Sequence, residues 1–198
     1  MIKRIIDIII SVLGIITLSP LFILIAIIIK AESRGPVLFR QKRVGKNEKI
    51  FKIDKFRTMT DKAWQKGTHI TISEKDPRIT KIGKFLRKYK IDELPQLFNI
   101  IKGDMSLVGP RPEIPEYVDI YTPEQKKVLS VKPGITDLAS IKYINENKIL
   151  SKSKDWKNSY INKIMPDKLK INLEYIKKKS LFLDFYIIFK TILNVSKR

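Results

Sequence analysis

The residue types best suited to chemistry in this chain are two adjacent carboxylates, Asp92 and Glu93, in IDELPQLFNIIKGDMSLVGPRP, residues 91–112. Pro95 follows closely. It has no N–H and its ring clashes with the carbonyl four residues back, so a helix arriving from residue 80 must break at the pair. A helix that restarts there gathers unpaired N–H groups and a positive dipole end around the two side chains. That arrangement fits plain capping by acidic residues, and equally a site where an anion is held. Three basic features accompany it. Arg87 lies five residues before Asp92, Arg111 stands on the Gly109-Pro110-Arg111-Pro112 turn, and Lys55 and Arg57 follow a strand-like run in DKFRTM. A guanidinium fork matches phosphate oxygens, so these cations are candidates to surround an anionic group.

The rest of the composition narrows the chemistry. The 198 residues carry 40 Lys and Arg against 20 Asp and Glu, a formal charge of +20, which attracts nucleic acid, acidic lipid or a phosphorylated substrate. The chain has no cysteine, which removes disulfides and thiolate metal sites. Its single histidine, His69, makes His-based zinc sites and triads untenable and reads as a loop residue. Carboxylates, basic side chains, backbone amides and a hard metal ion remain.

The elements that must position these groups begin with an apolar run, Ile5 to Ile29, whose only charge is Asp7. Ile8 to Ile29 as a straight helix would reach about 33 Å, enough to cross a bilayer. Two features argue for a helix that re-enters instead. Pro20 frees the carbonyl of Ile16, for which the Ser19 hydroxyl is a partner. Basic residues also flank both ends, Lys3 and Arg4 before and Lys30, Arg34, Arg40, Lys42 and Arg43 after, and basic flanks favour the cytoplasm. Asp7 is expected to pair with Arg4 one turn earlier or to lie at headgroup depth. Downstream, Val37–Arg43 and Ile50–Phe56 read as a hairpin, residues 60–80 as loop, and a helix is expected from Thr80. Leu94 to Lys102 forms a second helix, closed by Gly103. Thr122 and Pro123 start another, which Pro133-Gly134 ends. The lysine-rich MPDKLKINLEYIKKK and the apolar SLFLDFYIIFKTILNV, interrupted by Asp184 and Lys190, read as amphipathic helices lying on a membrane.

With these stretches in view, the sequence resembles the bacterial sugar transferases, the small monotopic polyprenyl-phosphate phosphoglycosyl transferases. The resemblance rests on the Ser19-Pro20 broken helix, GPVLFRQKRVG, FKIDKFRTM, DPRITKIGKFLRKYKIDELPQLFNIIKGDMSLVGPRP and VKPGIT. It implies that Asp92 and Glu93 are a catalytic dyad. Asp92 attacks a nucleotide-diphosphate sugar, a UDP-sugar by the same resemblance, and passes the phosphosugar to undecaprenyl phosphate through an aspartyl intermediate. It also implies Mg²⁺ at Asp92 and Glu93, with Arg87, Arg111 and Lys55 around the phosphates. Beyond VKPGIT many relatives continue Gly-Trp-Ala-Gln, whereas this chain reads DLASIKYINENKIL; Asp137, Ser140, Asn145 and Glu146 are candidates for a different sugar pocket.

The expected fold is α+β and mostly helical. It comprises a monotopic membrane protein with an N-terminal re-entrant helix hairpin (1–30) and a catalytic domain (31–198) with a small β-hairpin and interfacial helices, on the cytoplasmic face of the inner membrane. An anionic bilayer is the expected partner surface and no nucleic acid is expected. A membrane-tethered nucleic-acid binder would need basic and aromatic residues interleaved on one face, which the sequence lacks. A non-catalytic scaffold would leave the intact dyad unexplained.

Overall fold

A computed structural model describes residues 1–60 and 76–197; His69 and most of the expected 60–80 loop lie outside them. The first helix, α1 (Ile2–Glu32), runs without interruption through Pro20. Ser19 Oγ donates to the Ile16 carbonyl at 2.8 Å, the carbonyl that Pro20 leaves without its N–H. The helix is long and apolar enough to cross a membrane. Its inward face is nevertheless built into the protein: Asp7, Ser11, Ile25 and Ile29 are buried, and Ile15 and Phe22 join two core clusters.

Both ends of α1 are tied to the rest of the chain. At the start Arg4 donates to the carbonyls of Ile100 and Ile101, and Lys3 meets Asp184 at 2.5 Å. Asp7 accepts from Ser106 Oγ and from the Leu107 N–H, not from Arg4. A carboxylate buried against protein is better served by two fixed donors than by a long cation that has carbonyls to satisfy. At the far end Arg57 donates to the carbonyls of Ile29, Ser33 and Arg34, while Glu32 accepts from the N–H groups of Lys81 and Ile82. Arg57 therefore satisfies the open carbonyls of a helix C-terminus and does not belong to an anion cluster.

Strands β1 (Leu38–Val44) and β2 (Ile50–Phe56) form the expected antiparallel hairpin, pairing Leu38 with Phe56 through Val44 with Ile50. Helix α2 (Lys81–Lys88) is capped by Thr80, and α3 (Gln96–Lys102) ends on Gly103 in the left-handed region, as the sequence predicts. Instead of beginning at Leu94, this second helix is preceded by a 3₁₀ turn, Ile91–Glu93, which Lys90 enters with φ 57°. A left-handed non-glycine is costly, and here it redirects the chain immediately before the dyad. Strands β3 (Ser106–Val108) and β4 (Gly134–Thr136) pair in parallel, separated in sequence by α4 (Pro115–Val118) and α5 (Pro123–Lys126), the latter capped by Thr122. Short helices α6 (Leu138–Lys142), α7 (Glu146–Leu150) and α8 (Trp156–Ser159) lead to α9 (Met165–Lys178) and α10 (Leu181–Ser196).

The two charges that interrupt the last apolar segment have different fates: Lys190 is exposed, its Nζ over the Tyr186 ring. Asp184 is buried, paired with Lys3 and accepting from Tyr175 Oη at 2.6 Å, so it faces the protein. Phe182, Phe185, Phe189 and Ile192 face outward, as do Ile5, Ile9, Leu13 and Ile16 of α1.

Candidate active site

The dyad is positioned from three directions. From below, Asn99 of α3 clasps β2: its Oδ1 accepts from the Asp54 N–H and its Nδ2 donates to the Lys52 carbonyl, both at 2.8 Å. That clasp sets the register between α3 and β2, and Lys55 follows one residue after Asp54. Lys55 Nζ stands 3.0 Å from Glu93 Oε1.

The Gly-Pro-Arg-Pro turn is held by the Val-Lys-Pro-Gly segment. Ser106 N donates to Pro133 O, Gly109 N to Thr136 O and Gly134 N to Pro110 O. The approach is too close for side chains: a Cβ on Gly109 would sit 2.4 Å from the Lys132 carbonyl oxygen, and one on Gly134 2.1 Å from Gly109 N. The wholly buried Asp137 adds an anchor. It caps α6 by accepting from Ser140 N, and it accepts from the backbone N–H of Arg111 at 2.8 Å. Asp137 is thus a brace for the arginine turn rather than the lining of a sugar pocket. Glu146 likewise is engaged, by Lys168 at 2.9 Å.

Arg111 then grips Glu93 with its fork, Nη1 to Oε2 at 3.0 Å and Nη2 to Oε1 at 2.5 Å. The third direction is α2. Gly83 packs so tightly on the Thr58 backbone that a Cβ would meet its carbonyl oxygen at 2.1 Å, and Arg87 Nε donates to Thr58 Oγ1 at 2.8 Å.

The two carboxylates consequently live in opposite environments. For Glu93, burial alone would raise the carboxyl, but Arg111 and then Lys55 overcome it and hold the group well below the usual range. Glu93 in return pushes Arg111 further up. Burial lowers Lys55 to about 8, with Glu93 opposing the shift. Asp92 is raised, first by burial and then by the Glu93 charge, with Lys55, Lys90 and Arg87 pulling it back. Arg87 is lowered by burial and supported by Asp92 and Asp76. Among the described residues no hydrogen bond reaches the Asp92 side chain, and its Oδ1 is fully buried. One carboxylate is clamped; the other is held bare beside cations.

The structure thus brings Asp92, Glu93, Lys55 and Arg111 together, with Arg87 close enough for its charge to act on Asp92. Ser19 and Pro20 lie apart from this group, exposed on α1. Among the described residues no three acidic or histidine side chains converge as a metal cage. A hard cation of the Mg²⁺ kind, commonly held by one or two carboxylates and substrate phosphates, fits the unpartnered Asp92 oxygen. Glu93, expected as a second ligand, has both oxygens taken by Arg111 and Lys55. Sequence reasoning missed Thr58 and Asn99 and singled out Asp137 for a sugar pocket; all three touch the site only through other residues. Their signal was indirect, since each sits in or beside one of the dense motif blocks.

The model of the bacterial sugar transferase family matches residues 1–198. Over 194 residues the chain is 42% identical to the UDP-N-acetylgalactosamine-undecaprenyl-phosphate N-acetylgalactosaminephosphotransferase of Aeromonas hydrophila, covering 96% of this chain and 43% of that protein. It is 40% identical over 201 residues to the undecaprenyl-phosphate glucose phosphotransferase of Komagataeibacter xylinus, covering 96% and 35% respectively. Against the exopolysaccharide production protein ExoY of Rhizobium meliloti the identity is 34%, with 97% of this chain and 84% of ExoY covered. The chain therefore spans less than half of the first two relatives and most of the third. By a match along its whole length, the chain belongs to the bacterial sugar transferase family.

Proposed function

We propose that the protein is a phosphoglycosyl transferase that moves a sugar-1-phosphate from a nucleotide-diphosphate sugar to undecaprenyl phosphate. The observation that carries this reading is the division of labour in the dyad: a buried, unpartnered Asp92 carboxylate next to a Glu93 locked by Arg111 and Lys55. A free carboxylate oxygen in a cationic, water-poor site is a nucleophile for phosphorus. An Asp92 oxygen attacks the β-phosphorus, the bond from that phosphorus to the bridging oxygen breaks, and nucleoside monophosphate leaves. A phosphate oxygen of undecaprenyl phosphate then attacks the aspartyl phosphosugar, returning the carboxylate and forming the lipid diphosphosugar. Arg111, Arg87 and Lys55 bind and orient the phosphates, and Glu93 fixes Arg111 and Lys55 before substrate arrives. Asp92 would hold a Mg²⁺ ion together with the donor phosphates, and the ion would supply neutralisation of their charge. The names of the relatives support undecaprenyl phosphate as acceptor and a uridine diphosphate sugar as donor.

The same proposal includes the membrane arrangement: a monotopic protein on the cytoplasmic face of the inner membrane, with residues 1–30 re-entering the bilayer. A helix of 31 residues is about 46 Å long, yet both its ends are fastened to one polar body. Polar partners at both ends favour a helix that enters and returns on one side over one that leaves its N-terminus across the bilayer. The outward phenylalanines of α10 then lie at the same interface, and the net charge of +20 suits acidic headgroups.

The test is intact-protein mass spectrometry with a panel of nucleotide sugars and no lipid acceptor. The expected result is a gain of one phosphosugar, mapped to Asp92, absent in Asp92→Asn and discharged by undecaprenyl phosphate. Transfer that requires both substrates together, with no adduct under any condition, would overturn the two-step mechanism.

A further inference from the structure

The Gly-Pro-Arg-Pro turn leaves its arginine with a backbone group that the neighbouring residues cannot help to hold. Pro110 and Pro112 lack an N–H, so Arg111 carries the only backbone donor between Gly109 and Glu113. Gly109 N donates to Thr136 O at the end of β4, and the Arg111 N–H meets the side chain of the next residue, Asp137, at 2.8 Å. Asp137 is wholly buried, and a buried carboxylate persists only when donors meet it. Ser140 N serves Oδ1, and Arg111 N serves Oδ2. A third donor comes from α9, where Asn172 Nδ2 stands 3.3 Å from the same Oδ2. Asn172 is buried, and its Oδ1 has no partner among the described residues, so the amide acts through its N–H. With Pro110, Arg111 and Pro112 it also lines a small cavity behind the turn. Other buried residues on the same face of α9 fix the helix itself: Lys168 pairs with Glu146, and Tyr175 Oη donates to Asp184 at 2.6 Å.

We propose that Asn172 is a positioning residue for Arg111: through Asp137 it holds the backbone of the arginine turn, so that the guanidinium fork meets Glu93 and an incoming phosphate in one fixed place. The placement stands on contacts alone; only the step it serves rests on the phosphoglycosyl transferase reading. A neutral amide suits the task. It steadies the carboxylate without drawing it off the Arg111 N–H, as a buried lysine at the same point would. Leucine would fill the space and leave Oδ2 one donor short.

The test uses the full chain in detergent with Asn172→Leu, close in volume, and Asn172→Ser, whose hydroxyl ends one bond short of the amide nitrogen. The first measurement needs no nucleotide sugar. Amide hydrogen exchange, read by mass spectrometry on overlapping peptides, isolates Arg111 because the flanking prolines contribute no amide. In both variants the Arg111 amide should exchange about tenfold faster while the amides of the β1–β2 hairpin keep their rates. The second measurement is the rate of phosphosugar adduct formation below donor saturation, expected to fall about tenfold. In an Arg111→Met background the same substitutions should change that rate by no more than about twofold, since no fork is left to place. A rate loss equal in both backgrounds, or exchange accelerated evenly along the chain, would make Asn172 a packing residue and overturn the assignment. So would wild-type exchange at Arg111 in both variants. If wild type forms no adduct while the Arg111 amide still responds alone, the transferase reading fails and the Asn172 brace stands.

Discussion

Replacing Arg111 with methionine tests the clamp most directly. The substitution removes both fork bonds to Glu93 and leaves Lys55, 3.0 Å from Oε1, as the ion pair that remains among the described residues. Removing one member of a buried pair costs about 3–5 kcal/mol, because the other charge is left without compensation. The Arg111 side chain is 29% exposed and Lys55 remains, so the lower end, about 3 kcal/mol, is the appropriate size. If that loss is felt fully in the transition state, adduct formation slows roughly a hundredfold. Arg111→Lys retains charge but not the fork, and its deficit should be about tenfold, near the value of one charge-assisted bond.

The pH dependence of stability separates a clamp from a general packing role. Glu93 is depressed from an ordinary value of 4.5: burial opposes the shift, and Arg111 and Lys55 outweigh it. A depressed carboxyl contributes stability that is fully present above its unfolded value and is lost as pH falls through the folded one. The difference in unfolding free energy between wild type and Arg111→Met should therefore be largest near neutrality and shrink below about pH 4. Denaturant titrations in a fixed detergent, paired with single-turnover mass spectrometry, supply both measurements. A stability gap independent of pH, or Arg111→Lys with full activity, would refute the reasoning.

Lys55 should titrate near pH 8, so kcat/KM is expected to fall above that pH as the phosphate-binding cation is lost, and Lys55→Arg should remove that limb. Gly83→Ala drives a methyl group into the Thr58 carbonyl and should destabilise by about 1–3 kcal/mol while weakening Arg87's hold. Gly14→Ala, whose Cβ would meet only the tip of Leu97 at 3.3 Å, serves as the tolerated control. Tags placed at the N-terminus and after Arg43 should both be reached only from the cytoplasmic side, and Ser19→Ala with Pro20→Ala should push the N-terminus across. Labelling of the unmodified N-terminus from outside intact cells would exclude the re-entrant arrangement.

Local signals carried most of the element boundaries. The alternation in 37–43 and 50–56 gave the hairpin to within one residue, Thr80 and Thr122 gave helix starts, and Gly103 gave a helix end, each because one residue type answers one local need. The interruption at Pro95 was also legible, although a 3₁₀ turn and left-handed Lys90 took the place of a simple restart. What the sequence concealed were long-range polar contacts. Asp7 turned to Ser106 and Leu107, and Arg57 to the end of α1. Both side chains have near neighbours of opposite charge or plausible anion partners in sequence, so proximity suggested the wrong ones. A buried group is satisfied by whichever donors the tertiary fold delivers, and sequence distance carries no weight in that choice.

The same principle explains why the dyad is asymmetric although its two residues are adjacent and chemically alike. Consecutive positions on a 3₁₀ turn point about 120° apart, so two carboxylates side by side cannot share one environment. Glu93 faces β2 and the arginine turn, where Asn99, Asp137 and the glycine contact between residues 109 and 134 have already fixed two cations. Asp92 lies outside that clamp, and among the described residues no hydrogen-bond donor closes on it. Fixing the cations on Glu93 keeps them from collapsing onto Asp92 before a phosphate arrives. A locked neighbour is thus what allows a bare carboxylate to persist among Lys55, Lys90 and Arg87 without being neutralised by them. On this view Glu93→Gln should release Arg111 toward Asp92, so that the nucleophile is lost to an internal ion pair as well as the substrate clamp. Peptide-mapped carbodiimide labelling of Asp92 should then weaken at a given acidic pH, because pairing lowers its carboxyl. Stronger labelling in Glu93→Gln would mean that the cations had dispersed instead.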